Sequence, residues 1–163
     1  MCIRDSGYPG GPAVSKAALS GDKFKYKLPT PHTENKYDVS FSGLKTAVIN
    51  IFNINNMKGE ETDKNSLAAS FQEKIAQILS DNLSDAAKEF GYDKVAIAGG
   101  VSANSGLRSA FEGLNKKYGW KVFIPEFAYT TDNAAMVASA GYRKYLKGIF
   151  ADQSVAPYSR TII

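Results

Sequence analysis

A glycine-rich run at residues 99–104, Gly-Gly-Val-Ser-Ala-Asn, carries the clearest chemical signal in this sequence. It follows a short apolar segment and precedes a helical pattern, so free backbone N–H groups and a helix dipole favour a phosphate or nucleotide there. Glycines let the backbone approach such a ligand closely. The same residues also fit an ordinary strand-to-helix turn in which Asn104 or Ser105 caps the helix. The residues alone leave both interpretations open.

A second candidate is the carboxylate of Asp132, in the string Thr-Asp-Asn at residues 131–133. Asp132 suits either a hard oxygen ligand of a metal ion or an N-cap or first-turn carboxylate that stabilises the start of the next helix. A metal needs further ligands, yet the chain has a single histidine, His32, in a proline-bounded loop. The residues therefore do not assemble a complete metal site. Lys45 is similarly open between a phosphate contact and a solvated lysine in the first turn of a helix.

The composition of the 163-residue chain is that of one ordinary globular domain, with 44% hydrophobic and 22% charged residues. No window approaches the ~20 apolar residues of a membrane span. The single Cys2 excludes an internal disulfide, so we expect a reducing, cytoplasmic setting. The net charge of +4 arises after residue 91, where 9 basic residues stand against 5 acidic ones. This surplus is compatible with a phosphate-bearing partner but does not by itself indicate one.

The elements that must position these residues alternate between helices and short strands. Apolar spacing predicts helices over 13–20, 44–52, 66–90, about 107–118 and 132–147, and strands over 37–41, 94–98 and 121–124. Residues 7–12, Gly-Tyr-Pro-Gly-Gly-Pro, predict a turn. This order predicts an α/β domain with a mostly parallel sheet and flanking helices, with 94–98 central and a ligand crevice beyond the carboxyl ends of the strands. The small apolar residues of the last helix predict close packing on several sides.

Four separate strings stand in a characteristic order and spacing. They are Gly-Tyr-Pro-Gly-Gly-Pro at 7–12, Ser-Phe-Ser-Gly-Leu-Lys-Thr-Ala at 40–47, Gly-Gly-Val-Ser-Ala-Asn at 99–104 and Thr-Asp-Asn-Ala-Ala-Met at 131–136. Together with Ala-Ala-Ser-Phe-Gln at 68–72, they resemble the tRNA adenosine threonylcarbamoyltransferase family, formerly described as O-sialoglycoprotein endopeptidase. The resemblance extends from Gly7 to about Leu146.

The resemblance implies an actin-like (ASKHA) ATPase fold, of which residues 7–163 would be the C-terminal lobe, with the N-terminal lobe missing. Residues 1–6 match no motif and are expected to be a non-native or disordered leader that does not pack against the domain. The implied enzyme transfers a threonylcarbamoyl group from threonylcarbamoyl-adenylate to the adenosine next to the anticodon, in tRNAs that read codons beginning with A. The fragment alone is expected to be inactive.

Carried over position by position, the resemblance implies no catalytic side chain here but a set of binding residues. The positions implied to bind the nucleotide, as ATP or threonylcarbamoyl-adenylate, are Gly11, Gly99, Gly100 and Asn104. Asp132 falls on a ligand of one divalent metal, iron or alternatively zinc, which the family also holds with two histidines of a His-x-x-x-His helix. Those histidines have no counterpart here. Ser15 stands where many relatives carry an Asp that touches the nucleotide.

The implied partners are tRNA and the other proteins of the threonylcarbamoyl transfer complex, including a paralogous actin-like subunit, and no membrane. An alternative of a different class is a noncatalytic lobe that binds a nucleotide, partner proteins or RNA. An actin-like sugar kinase or chaperone ATPase is a third hypothesis, but the motifs of those proteins are absent from this sequence. A His-x-x-x-His helix encoded upstream of Gly7 would favour the enzyme over the noncatalytic lobe.

Overall fold

A computed structural model describes residues 10–156 of the chain. These residues fall into two compact units that divide after Thr130. The first unit contains α1 (Gly10–Ala18), α2 (Ser42–Lys58), α3 (Lys64–Glu89), β1 (Lys94–Ala96), α4 (Ser105–Tyr118) and β2 (Lys121–Phe123), with short 3-10 helices at Gly100–Ala103 and Phe127–Tyr129. The second unit contains α5 (Ala134–Leu146). No helix within residues 10–156 is long and apolar enough to cross a membrane.

The two strands form a parallel pair in which Val95 lies opposite Val122. Parallel neighbours need a crossover connection, and α4 supplies it. Gly119, with a φ of 72°, ends α4 in the left-handed conformation that glycine tolerates best. The pair packs with α3 and α4 in one apolar cluster. Its buried members are Ala76, Ala87, Val95, Leu107, Phe111, Leu114 and Trp120. This cluster fixes the carboxyl end of β1 against the two helices.

The long helix α3 begins at a capping side chain, Asp63. The Asp63 carboxylate accepts hydrogen bonds from the Ser66 N–H at 3.0 Å and the Ser66 hydroxyl at 2.7 Å. The Lys25 ammonium donates to the same carboxylate at 2.8 Å. These donors favour the charged form of the Asp63 carboxyl and hold its pKa well below its usual range, and the Lys25 ammonium has the largest effect. The cap therefore joins the segment after α1 to the start of α3.

Helix α1 and the segment that follows it lie along the first turns of α3. Small side chains allow the two helices to approach, and they form a second buried cluster of Ala18, Ala68 and Ala69. Beyond α1, the Asp22 N–H donates to Ser66 Oγ at 3.0 Å, and the Tyr26 N–H donates to Ser70 Oγ at 3.2 Å. Two buried serines of α3 thus accept hydrogen bonds from backbone N–H groups that lie outside any helix or strand.

The strand predictions are wrong in two respects. Residues 37–41 contain no strand and lead directly into α2. They are held instead by the Asn82 side chain, whose Nδ2 donates to the carbonyls of Tyr37 and Asp38 at 3.0 and 3.3 Å. The strand expected at 94–98 is shorter and is not central within the described residues. It pairs with one neighbour only, and Val95 alone of its three residues is buried, because α3 and α4 cover one face.

The helix predictions also need correction. Residues 10–12, expected to be part of a turn, form the start of α1. Pro12 is tolerated there because backbone N–H groups in the first turn of a helix have no intrahelical partner, so the N–H that proline lacks is not needed. α2 continues to Lys58, beyond the end of the helix predicted over 44–52. α5 has no buried residue, so its small side chains do not pack as expected within the described residues. The expectation for residues 1–6 lies outside the residues that the structure describes and stays a prediction.

Candidate functional site

The glycine-rich run lies at the carboxyl end of β1, as the sequence predicts, and its geometry requires glycine. Gly99 has φ of 83° and ψ of 172°, a conformation that side-chain-bearing residues rarely adopt. Its carbonyl accepts from the Ser102 N–H at 3.0 Å and the Ser102 hydroxyl at 2.6 Å. Ser102 is only 1% exposed, so these two hydrogen bonds stabilise the turn on its buried side. An added Cβ at Gly100 would meet nothing within 4 Å, so the outer side of the turn is open.

Asn104 links the glycine-rich turn to α4 and to two other helices. Its side-chain oxygen caps α4 by accepting the Leu107 N–H at 3.0 Å. Its Nδ2 donates to Gln72 Oε1 of α3 at 2.8 Å and lies 3.5 Å from Ser15 Oγ of α1. The capping interpretation of Asn104 is therefore correct. It does not exclude the ligand-binding one, because the amide nitrogen is separate from the capping oxygen.

The contact between Asn104 and Ser15 brings α1 to the same place. Ser15 follows Gly11 by four residues in α1, and residues with this spacing share one helix face. A Cβ at Gly11 would meet nothing within 4 Å, so this face is open at Gly11. The structure thus places the Ser15 turn of α1 beside Asn104, although 89 positions separate the two residues. Gly11, Gly99, Gly100 and Asn104 all belong to the first unit.

Arg108 braces the glycine-rich turn from the first turns of α4. Its Nε donates to the Ser102 carbonyl at 2.7 Å, and one terminal nitrogen donates to the Pro125 carbonyl at 2.6 Å, beyond the end of β2. The guanidinium also lies over the ring of Phe127, 4.0 Å from its centroid. Sequence reasoning overlooked Arg108 and Gln72. The sequence does contain a hint of the role of Arg108. Arg108 follows Asn104 by four positions, and this spacing places both residues on one face of a helix.

Two cavities open near α3, and neither is lined by the predicted binding residues. The larger, of about 400 Å³, is an apolar space at the carboxyl end of β1, between α3, α4 and residues 37–39. The smaller, of about 240 Å³, lies between α3 and residues 30–40 and has three carboxylates, Asp38, Asp81 and Asp85, in its wall. The crevice expected to contain Gly11, Gly99, Gly100 and Asn104 is therefore not one of these cavities.

Asp132 belongs to the second unit, where its neighbour has taken the capping role. The side-chain oxygen of Asn133 accepts the Met136 N–H at 2.8 Å, so Asn133 caps α5. The interpretation of Asp132 as the cap is wrong. Asp132 is exposed and accepts no hydrogen bond from residues 10–156. Within that range no three His, Cys, Asp or Glu side chains are grouped to hold a metal ion. The described residues therefore do not by themselves fit a protein-bound metal.

The fold and the turn together define an α/β protein whose parallel strands are joined through a helix, with a glycine-rich turn at the end of the first strand. The sequence profile of the family described as tRNA N6-adenosine threonylcarbamoyltransferase (TsaD) matches residues 3–139. The chain belongs to this family, which confirms the resemblance drawn from the four strings.

Curated relatives agree with the family match. The tRNA N6-adenosine threonylcarbamoyltransferase of Porphyromonas gingivalis is 48% identical over 162 residues, covering 96% of this chain and 47% of the relative. The protein of the same name from Christiangramia forsetii is 50% identical over 156 residues, covering 94% of this chain and 46% of the relative. The chain thus spans about half the length of the curated relatives it matches.

A solved structure matches the fold at much lower identity. HypF from T. kodakarensis superposes with a TM-score of 0.62 at 21% identity, over 87% of this chain and 18% of HypF. At this identity the likeness concerns the fold alone. The predicted α/β class with a parallel sheet and flanking helices is confirmed.

Proposed function

We propose that this chain is the adenylate-binding lobe of a tRNA N6-adenosine threonylcarbamoyltransferase. The observation that carries the proposal is the junction at Asn104, where the open glycine-rich turn, the start of α4 and the Ser15 turn of α1 come together. A helix N-terminus behind two glycines offers backbone N–H groups and positive potential to a phosphate. Family membership supplies the reason to expect that phosphate to be the one of an adenylate.

The proposed reaction needs the lobe to hold AMP as a leaving group. The exocyclic amine of the tRNA adenosine attacks the carbamoyl carbon of threonylcarbamoyl-adenylate, a new carbon–nitrogen bond forms, and the carbon–oxygen bond to the phosphate breaks. AMP departs and the amine loses one proton. Gly99, Gly100 and Gly11 would allow the nucleotide to approach the backbone, and Asn104 would donate a side-chain N–H to it. Preorganised donors of this kind stabilise the charge that gathers on the leaving phosphate.

We further propose Asp132 as one carboxylate ligand of a divalent metal, iron or zinc, whose other protein ligands lie outside this chain. A single exposed carboxylate binds a metal weakly, since most of the coordination shell must then come from water. The chain by itself is accordingly expected to be inactive. The tRNA acceptor, the partner proteins, the paralogous actin-like subunit among them, and a cytoplasmic location belong to the same proposal.

The experiment is a titration of the isotope-labelled chain with AMP, followed by nitrogen–proton correlation NMR. We expect AMP to shift the amide signals of residues 99–104 and the Asn104 side chain, and Asn104→Ala to weaken binding by about tenfold or more, as expected for one hydrogen bond to a charged group. The matched control is Asn115→Ala, because Asn115 lies at the other end of α4 and donates to the Trp120 carbonyl.

Urea unfolding of each variant separates binding from stability, since Asn104 also caps α4. A loss of AMP affinity in Asn104→Ala alone supports the proposal. If AMP shifted no signal in the turn, or if both asparagine variants bound AMP like the unmodified chain, the capping role would be the full account of Asn104. The noncatalytic alternative would gain support if AMP bound as proposed but a full-length protein carrying this lobe did not modify tRNA.

A further inference from the structure

The side chain of Gln72 has no role in the proposed site, yet it makes the shortest polar contact to Asn104. Its Oε1 accepts the Asn104 Nδ2 hydrogen at 2.8 Å, against 3.5 Å for the contact of Nδ2 with Ser15 Oγ. Gln72 lies in the middle of the first half of α3, one residue after Phe71 and away from the helix ends. It is partly buried, so this bond is shielded from competing water.

The space for the Gln72 amide is provided by a glycine on α4. A Cβ added at Gly106 would lie 2.7 Å from Gln72 Nε2, 3.0 Å from Cδ and 3.1 Å from Cγ. The amide of Gln72 therefore occupies the space that any other residue at position 106 would fill. Gly106 is in the first turn of α4, two residues after Asn104. The absence of a side chain at position 106 thus leaves the space through which the Gln72 amide reaches Asn104.

Hydrogen-bond chemistry makes the orientation of the Asn104 amide unique. Its oxygen faces the Leu107 N–H, a donor, and its nitrogen faces Gln72 Oε1, an acceptor. A half-turn of the amide would set donor against donor at Leu107 and acceptor against acceptor at Gln72. An amide nitrogen carries two hydrogens, and Gln72 takes one. The second is left for the side of Ser15, where the 3.5 Å contact is too long to bind it firmly.

We infer that Gln72 is a positioning residue of the adenylate site: it fixes the Asn104 side-chain amide so that its second N–H is held ready for an acceptor on the nucleotide. The inference rests on the proposed function for the identity of the ligand. The Leu107 N–H alone leaves the nitrogen end of the amide unrestrained, and binding a nucleotide would then cost the ordering of that end. Gln72 supplies the restraint before the ligand arrives.

The test compares two substitutions of Gln72, one that removes the acceptor and one that keeps it but adds a negative charge. Gln72→Met keeps the length of the side chain and removes the acceptor, whereas Gln72→Glu keeps an acceptor oxygen in place. Gln77→Met is the matched control, because Gln77 is an exposed glutamine on the same helix, on the wall of the smaller cavity. Each labelled variant is titrated with AMP, and its unfolding by urea is measured in parallel.

We expect Gln72→Met to move the Asn104 side-chain signal and to weaken AMP binding by about fivefold, the usual effect of one hydrogen bond. Gln72→Glu keeps the acceptor, so it should lower AMP affinity by no more than the same change does in an Asn104→Ala background, where only its added charge acts. Gln77→Met should match the unmodified chain. In an Asn104→Ala background, Gln72→Met should have no further effect on AMP affinity, because Gln72 acts through Asn104.

Unchanged AMP affinity in Gln72→Met, with affinity lost in Asn104→Ala, would overturn the inference and leave the proposed function intact. A Gln72→Glu variant that loses more affinity than this charge effect would also overturn it, because packing rather than the acceptor would then be responsible. If AMP shifted no signal of residues 99–104 in the unmodified chain, the proposed function would fail first and this inference with it.

Discussion

The attachment of α1 to α3 is most directly tested at Gly21, just after α1. A Cβ built on Gly21 would lie 2.1 Å from the Asn65 carbonyl oxygen, 2.3 Å from its carbon and 2.6 Å from the Ser66 nitrogen. All three atoms belong to the backbone of α3, so no side chain can rotate away to relieve the contact. Gly21→Ala must therefore move the end of α1 away from α3, or bend the start of α3.

The size of the effect follows from what that movement breaks. A contact normally needs about 3.4 Å, so the segments must separate by more than 1 Å. The Asp22 N–H donates to Ser66 Oγ across an N–O distance of 3.0 Å. The separation breaks this hydrogen bond, at a cost of about 1 kcal/mol. Overpacking costs a further 1–3 kcal/mol or so. We expect Gly21→Ala to lower the free energy of unfolding by about 3 kcal/mol.

The assay is urea unfolding followed by the fluorescence of Trp120, the single tryptophan, which lies in the buried cluster of the first unit. Gly113→Ala is the control, because Gly113 lies inside α4 and a Cβ there would meet nothing within 4 Å. It should stabilise the chain by about 0.5–1 kcal/mol through helix propensity. If Gly21→Ala were as stable as Gly113→Ala, the described approach of α1 to α3 would be wrong.

Three further predictions concern the core, the cap of α3 and the proposed metal ligand. Phe111→Ala should lower the unfolding free energy by about 3–5 kcal/mol in the same assay, because Phe111 is 4% exposed in the main cluster. The lowered pKa of Asp63 stabilises the fold above its ordinary value near 3.8, and this contribution is lost as the pH falls further, so Asp63→Asn should flatten the acid dependence of urea unfolding. Asp132→Ala should leave the urea midpoint unchanged, since Asp132 is exposed, and elemental analysis should find no stoichiometric metal in the chain with or without this change. In a full-length protein carrying this lobe, the same substitution should abolish tRNA modification, and retained activity would contradict the metal role.

Local signals predicted the long helices and the strand-to-helix turn well. The apolar stripe of α3 and the Gly119 stop of α4 act within a few residues, so they can be recognised in the sequence. Asn104 is the N-cap that its residue type allowed, and Gly99 adopts the positive φ that its type permits. Such features depend on backbone geometry more than on distant partners, which is why a single sequence reveals them.

The errors arise where distant partners decide the structure. Residues 37–41 alternate like a strand, but the Asn82 amide, more than 40 positions away, binds their carbonyls instead. The run at 95–98 is apolar throughout, yet α3 and α4 bury only one face of β1. Gln72 escaped notice for the same reason, since its partners Asn104 and Gly106 lie more than 30 positions further along the chain. No periodicity records contacts of this kind.

Asn104 shows that a structural and a functional interpretation of one residue need not compete. The sequence presents a choice between helix cap and nucleotide ligand, yet the two roles use different atoms: the oxygen caps α4, and the nitrogen faces α1 and α3. Capping would assist the proposed binding, because the Leu107 N–H and Gln72 together determine which end of the amide faces Ser15. Replacing Asn104 by Ser would keep an uncharged capping oxygen and remove both amide N–H donors, so it separates the roles at one position. A chain with Asn104→Ser that remains as stable as the original but loses AMP affinity would assign the amide nitrogen to the ligand. Equal affinity would leave Asn104 as a cap alone.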